Sequence, residues 1–324
     1  MNNSSNNLTL DKTPEITHIN LDKLELNRYR FYPVTHKLEQ PALTFIRPLL
    51  VHQQDSGELA LLDGFTRYES ACAMDIDQLP CQILSPETPL TNIIALLTEQ
   101  HENVLNIPIH KANFVAMMLN LGLSREQLCE HFLTPIGLSP HIKLIRHCLA
   151  IHELPEEVQQ FCANKKLSFK QCLALTLYPC DLVMEVLDWR NILHLSSSNI
   201  LELLEHIHDI LRSTNSDIKI FRQSPTILHA LQANQPPHEK TRLMRTAVEN
   251  LRFPDLTAVR EDLSRIHDQM ALPKTVRCQW DQSLEKSSLY LQIDIHSQQQ
   301  WQGLLDLLNS TRLTQGIKQL LEKL

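Results

Sequence analysis

Glycine is scarce: the 324 residues hold six, where average usage of about 7% would supply roughly twenty. Walker-type phosphate loops and dinucleotide-binding turns need several glycines close together, so that the backbone can turn tightly against a ligand. Gly57, Gly64, Gly122, Gly137, Gly303 and Gly316 are too dispersed for either. Paired cysteine spacing is also missing. The eight cysteines include no CxxC, which argues against a zinc ribbon or a redox dithiol motif and leaves buried, reduced thiols of a cytosolic protein as the expectation. No stretch of 18 apolar residues spans a membrane, and the Asn/Ser-rich start lacks the basic and apolar regions of a signal peptide. Positive charge is short as well. The formal net charge is -7, and only residues 101–180, with seven Lys/Arg against six Asp/Glu and six of the histidines, escape the acidic excess.

Apolar residues make up 43% of the chain, aromatics only 5%, and leucine dominates, a composition that favours helices over a β-sandwich. The length predicts two or three domains, and the fold class expected is α+β. Residues 1–13 read as a disordered tail. Residues 14–88 combine short period-two runs with one helix from Phe65 to Met74, giving a small mixed domain. Residues 89–212 carry successive short amphipathic patterns, a mostly helical domain in which Ser124 and Ser168 stand at helix-capping positions. Residues 213–240, with polar runs and Pro236-Pro237, read as a hinge. Residues 241–324 read as a helix pair followed by a ββα module, with Trp301, Leu304, Leu305 and Leu308 on one face of the last helix as core or as a dimer seam.

The most informative stretch is Leu61-Leu62-Asp63-Gly64-Phe65-Thr66-Arg67. A strand ends in Asp-Gly, and a helix begins at once with a hydroxyl and an arginine in its first turn. Free amides at the helix start, the positive end of the dipole and a guanidinium would converge on one point, which is how an anion is held. Gly64 lets the backbone approach such a ligand. An ordinary tight turn with a solvated Arg67 fits the same residues.

Residues 15–84, with Pro48-Leu49-Leu50-Val51, Asp63-Gly64-x-x-Arg67-x-x-x-Ala71 and Leu79-Pro80-Cys81, resemble the N-terminal domain of ParB, the bacterial chromosome- and plasmid-partitioning family, a fold shared with sulfiredoxin. The resemblance continues through Leu154-Pro155-Glu156-Glu157-Val158-Gln159 and Lys166-Leu167-Ser168-Phe169-Lys170-Gln171-Cys172-Leu173-Ala174, which look like the helical half of the ParB DNA-binding core. It implies a site for CTP or another nucleotide, with Mg, in which Gly64, Thr66 and Arg67 contact phosphates and Glu102 with Asn103 form the second motif. It also implies DNA, a homodimer and a partitioning ATPase as partners, and a nucleoid-associated cytoplasmic protein. Three positions depart from the pattern. Phe65 and Thr66 stand where a Glu and the first Arg belong, and Asn106 replaces the Arg of the second motif. Two missing guanidiniums remove charge-assisted bonds of about 1.5–3 kcal/mol each, which weighs against CTP hydrolysis and a CTP-driven clamp. Sulfiredoxin-type chemistry needs a cysteine beside the turn; Cys72 lies further along the helix and reads as core.

Residues 123–149 fit a helix-turn-helix, the second helix presenting Ser139, His141, Lys143, Arg146 and His147 to DNA. The connection at 132–138 is longer than the usual three or four residues, so a structural helical hairpin fits too. Lys240, Arg242, Arg245, Arg252, Arg260 and Arg265 interleave with acids and read as a salt-bridged solvated face. His206 and His208, like His147 and His152, lack metal-ligand partners, and no catalytic residue is assigned. Two alternatives to DNA binding stand beside it: a nucleotide-hydrolysing or phosphotransfer enzyme, for which Asp63, Glu69 and Glu102 are the available carboxylates, and a degenerate scaffold for protein partners.

Overall fold

Short runs of Leu, Ile and Val with period two form the sheet strands, and the longer 3.6-period patterns form helices. The computed structural model describes residues 16–33, 47–281, 284 and 286–324; the expected tail at 1–13 lies outside them. The architecture is α+β, and the described residues fall into two units divided between Asp188 and Trp189.

The first unit opens with β1 (Ile16–Asn20) and β2 (Leu24–Glu25), followed by β3 (Leu49–Gln53) and β4 (Leu59–Asp63). After β4 come α1 (Phe65–Ala73) and β5 (Gln78–Leu84). The five strands lie in the order β1-β5-β3-β4-β2. β3 and β4 form the expected antiparallel hairpin, while β3 runs parallel to β5, and β1 antiparallel to β5. α1 covers this sheet through Phe65 and Ala71, packed with Leu49, Val51, Leu61 and Cys81. Cys72 is exposed, correcting its reading as core: buried Phe65 and Ala71 and partly buried Tyr68 share one face of α1, and 72 falls beside that face.

Helices follow: α2 (Leu90–Gln100), α3 (Glu102–Leu105), α4 (Pro108–Asn120) and α5 (Arg125–Gln127), which runs on through a π-helical turn at Leu128–Phe132. Then come α6 (Ile142–His152), α7 (Glu156–Asn164), α8 (Phe169–Leu175) and α9 (Cys180–Asp188). Ser124 and Ser168 each form a complete capping box with Gln127 and Gln171. α4 is apolar almost all round, with Ile109, Ala112, Phe114, Val115, Ala116 and Met118 buried, as befits the central helix of a bundle. Of its two buried polar residues, His110 and Asn113, Asn113 donates to Gln159 Oε1 at 2.8 Å and accepts from His152 Nδ1 at 2.9 Å. Sheet and helices share one unit. The ring of Phe31 lies edge-on to Phe114 of α4, 4.7 Å between centroids, and joins the two parts.

In the second unit, α10 (Ser197–Thr214) is followed by α11 (Ile218–Arg222), α12 (Pro225–Gln232), α13 (Pro237–Arg252) and α14 (Pro254–Met270). Residues 213–240, read from the sequence as a hinge, carry two helices with an apolar face. Ile218, Phe221, Ile227, Ala230 and Leu231 are buried, and Asp217 caps α11 by accepting from Ile220 N. Pro225 and Pro237 occupy first-turn positions, where proline starts a helix and does not break one.

Beyond them, β6 (Val276–Trp280) pairs antiparallel with β7 (Leu289–Ile293), and the final helical pattern divides into α15 (Gln298–Leu308) and α16 (Thr311–Lys323), because Ser310 caps a new helix. The expected ββα module thus has a second closing helix, and it shares a core with α14 through Leu263, Met270, Cys278, Leu313 and Leu320. Leu304 is buried, but Trp301 and Leu308 are exposed and are not core. The arginines of this unit are paired as expected: Arg242 with Glu239, Arg245 with Glu202, Arg252 with Glu205 and Asp209, Arg260 with Glu249, and Arg265 with Asp262.

Candidate functional site

The end of β4 and the start of α1 place Asp63, Gly64, Thr66 and Arg67 in one turn. Gly64 has φ +102°, a left-handed conformation that favours glycine, and a Cβ there would lie 2.6 Å from Leu49 Cδ2 and 2.9 Å from Arg67 Nη2. The absent side chain makes room for the guanidinium. α1 begins without a side-chain cap and without an acid in its first turn, so the amides of residues 65–67 have no helical acceptor. Thr66 is exposed beside them.

Arg67 is drawn back over this turn. It donates through Nη1 to the carbonyls of Arg47 and Pro48, and through Nη2 to Asp63 Oδ2 at 3.0 Å. The other oxygen of Asp63 lies 3.4 Å from Nε2 of His101, a buried imidazole at the junction of α2 and α3. Glu102 and Asn103 start α3 at the next position and are both exposed. The two predicted phosphate motifs therefore meet through their neighbours, Asp63 and His101. Neither of these two was singled out as a phosphate-site residue, although the Asp63/Arg67 spacing of four, one helical turn, is a readable ion-pair signal.

Aromatic rings wall the junction. Phe31 and Tyr32 lie 5.5 and 5.4 Å from His101, and Tyr32 also approaches His110 and Phe65. Burial, reinforced by the Asp63 charge, pushes the Tyr32 hydroxyl up to about 12. Burial pulls the pKa of His101 down from its ordinary value, with Asp63 opposing, and does the same to His110, whose Nδ1 bonds to the Val104 carbonyl. Among the candidate carboxylates, Asp63 is engaged with Arg67 and His101, and Glu69 with Arg30 at 3.5 Å.

The second predicted constellation lies on α6 and the segment leading into it. Ser139, His141, Lys143 and Arg146 are exposed and His147 is half-buried, while Ile145, Cys148 and Ile151 face the core. The α6 N-terminus has neither side-chain cap nor acid in its first turn. α6 packs along α4 and also touches α5. The long connection at 133–141 is pinned by the buried Leu133 and Ile136. Within it Gly137 has φ +71° and sits over Lys111 Nζ, an amine whose pKa burial pulls down.

Burial pushes the thiols of Cys81 and Cys148 up to about 11 and about 12, leaving little thiolate near neutral pH. Among the described residues, no helix is long and apolar enough to cross a membrane, and no three His, Cys, Asp or Glu stand together as a metal would require.

No protein-family model matches the chain, and no curated protein matches it. Among solved structures it is similar to the C-terminally truncated chromosome-partitioning protein ParB of Caulobacter crescentus complexed to the centromeric parS site, at 15% identity and a TM-score of 0.26 over 58% of this chain and 97% of that one. It is also similar to the truncated Caulobacter protein complexed with CTP-γ-S, at 16% identity and a TM-score of 0.23 over 51% and 94%. Matches at these identities and scores assign no family.

Proposed function

We propose that the chain is a ParB-like DNA-binding protein, acting in chromosome or plasmid partitioning or in transcriptional regulation. The observation that carries this reading is the outward face of α6. A helix packed along α4, with Ile145, Cys148 and Ile151 buried, carries exposed Lys143 and Arg146 near an uncapped N-terminus, with Ser139 and His141 exposed in the segment leading into it and His147 at the margin. Donors and cations so placed fit phosphates and base edges of a duplex. The capped helix at 124–132 supplies the supporting first helix of such a pair. The parS and CTP-γ-S complexes of the Caulobacter proteins are consistent with this reading.

In the same reading the β4–α1 turn takes the phosphates of a nucleotide, CTP with Mg, through Gly64, Thr66 and Arg67, with Glu102 and Asn103 adjoining. The free amides at the start of α1 fit such a group, with the Arg67 guanidinium lying over Gly64 beside them; the Asp63 carboxylate opposes it. A bound triphosphate would supply negative charge, which this turn would orient beside His101. Exposed Tyr290, Ile295, Trp301 and Leu308 in the C-terminal module support a homodimer, and a partitioning ATPase is the protein partner that the reading implies. Fluorescence polarisation of labelled duplex DNA with the full chain, with and without CTP, tests it. Binding that weakens steeply with salt is expected, and no binding at about 50 mM salt in either condition overturns it.

A further inference from the structure

The buried face of the β4–α1 turn holds an arrangement that phosphate binding alone does not need. The Asp63 carboxylate stands between a cation already bonded to it, Arg67, and a neutral imidazole that is not: His101 Nε2 lies 3.4 Å away, 94% buried with its residue, and makes no hydrogen bond. We propose that Asp63 is an internal counter-ion exchanged between Arg67 and His101, so that an oxyanion drawing the guanidinium away leaves the carboxylate to His101, which takes one proton from solvent on Nε2. Loss of Arg67 to the ligand acts twice on that ring. It frees the negative charge at Asp63, and it neutralises a positive charge that opposes protonation.

The surrounding groups leave the proton at His101. From the segment before β3, Tyr32 faces the ring as a neutral phenol, its hydroxyl held at about 12. Arg30 of that segment is paired with Glu69 of α1. From α4, His110 lies against Tyr32, 6.0 Å between centroids, and bonds the Val104 carbonyl. On its own junction, Glu102 is exposed to solvent. Burial keeps His101 neutral in the ligand-free protein, so the exchange is poised. The consequence is regulation of the site by pH: oxyanion affinity rises as pH falls, by at most about tenfold per pH unit, the limit for one linked proton. Because His101 immediately precedes Glu102 and Asn103, the proton also reports to the second motif.

This inference rests on the phosphate reading of the turn, and one experiment separates the two. The pH titration of the His101 ring is followed by NMR in the full chain, its signal assigned by its loss in His101→Gln. Arg67→Gln should shift the titration upward and Asp63→Asn downward, with no ligand added; Arg67→Lys, which keeps a cation, should shift it less. Saturating CTP, and sodium sulfate as an oxyanion that does not titrate in this range, should shift the wild-type signal upward. An unmoved titration in both Arg67→Gln and Asp63→Asn overturns the exchange. Variants that move it while CTP and sulfate do not would uphold the exchange and overturn the phosphate reading.

Discussion

Arg67 donates to the carboxylate of Asp63, four residues earlier, across the single glycine that separates β4 from α1. The ion pair closes the turn in the absence of ligand, and it makes any oxyanion compete with a resident carboxylate. Thr66 and Asn106, standing where the resemblance implies arginines, lower the positive charge available for that competition.

Replacing Gly64 tests the turn itself. In Gly64→Ala the new methyl would occupy a left-handed conformation, costing about 1–3 kcal/mol. It would also stand 2.6 Å from Leu49 Cδ2 and within 3 Å of the Arg67 guanidinium, adding about 1–3 kcal/mol of overpacking. Urea denaturation should show this loss. CTP binding should weaken further than the loss of folded protein explains, because the guanidinium has to move.

Stability should fall as the solution is acidified below the ordinary histidine range. His52, His101 and His110 are all pulled down by burial. Between their folded values and about 6.5 the unfolded chain binds more protons than the folded one, so unfolding is favoured as pH drops through that window and is unaffected by these groups above it. Thermal melts from pH 8 to pH 5 should show the decline, and His110→Gln should flatten part of it. A melting temperature independent of pH across this range would contradict the burial argument.

The C-terminal module offers a test of packing. Gly316 lies in α16 against Met270 of α14, and a Cβ there would collide with the methionine's Cγ and stand 2.8 Å from its Sδ. Alanine in place of glycine in a helix gains about 1 kcal/mol of propensity, against about 1–3 kcal/mol for forcing a buried side chain aside. Met270 is only 2% exposed and has little room to yield. Gly316→Ala should therefore destabilise the module, whereas Gly303→Ala, with nothing within 4 Å, should stabilise it. Chemical denaturation of the two variants distinguishes them by sign.

Most of the secondary structure was legible in the sequence because period and caps agree locally: Ser124, Ser168 and Ser297 start helices as hydroxyl caps should. What failed had tertiary causes. Pro236-Pro237 looked like a break, yet Pro237 opens α13, and the polar residues near 213–240 hid an apolar face at 218, 221, 227 and 231. The sheet and the helices of the first unit are joined by contacts such as Phe31 with Phe114, far apart in sequence. In the candidate site, local spacing placed Gly64, Thr66 and Arg67 in one turn, but His101 meets Asp63 across 38 residues of sequence, a contact that no local pattern announces.

The central claim is that the outer face of α6 binds duplex DNA. Lys143 and Arg146 are exposed and unburdened by packing, so the double variant Lys143→Ala/Arg146→Ala should keep its stability within about 0.5 kcal/mol. The most direct measurement is polarisation of duplex DNA with both proteins across a salt series. The account predicts that the wild-type chain binds with an affinity falling linearly with log salt, and that the double variant binds more weakly with its slope reduced by about two. An absence of wild-type binding at about 50 mM salt, or equal affinity and slope in the folded double variant, would contradict it.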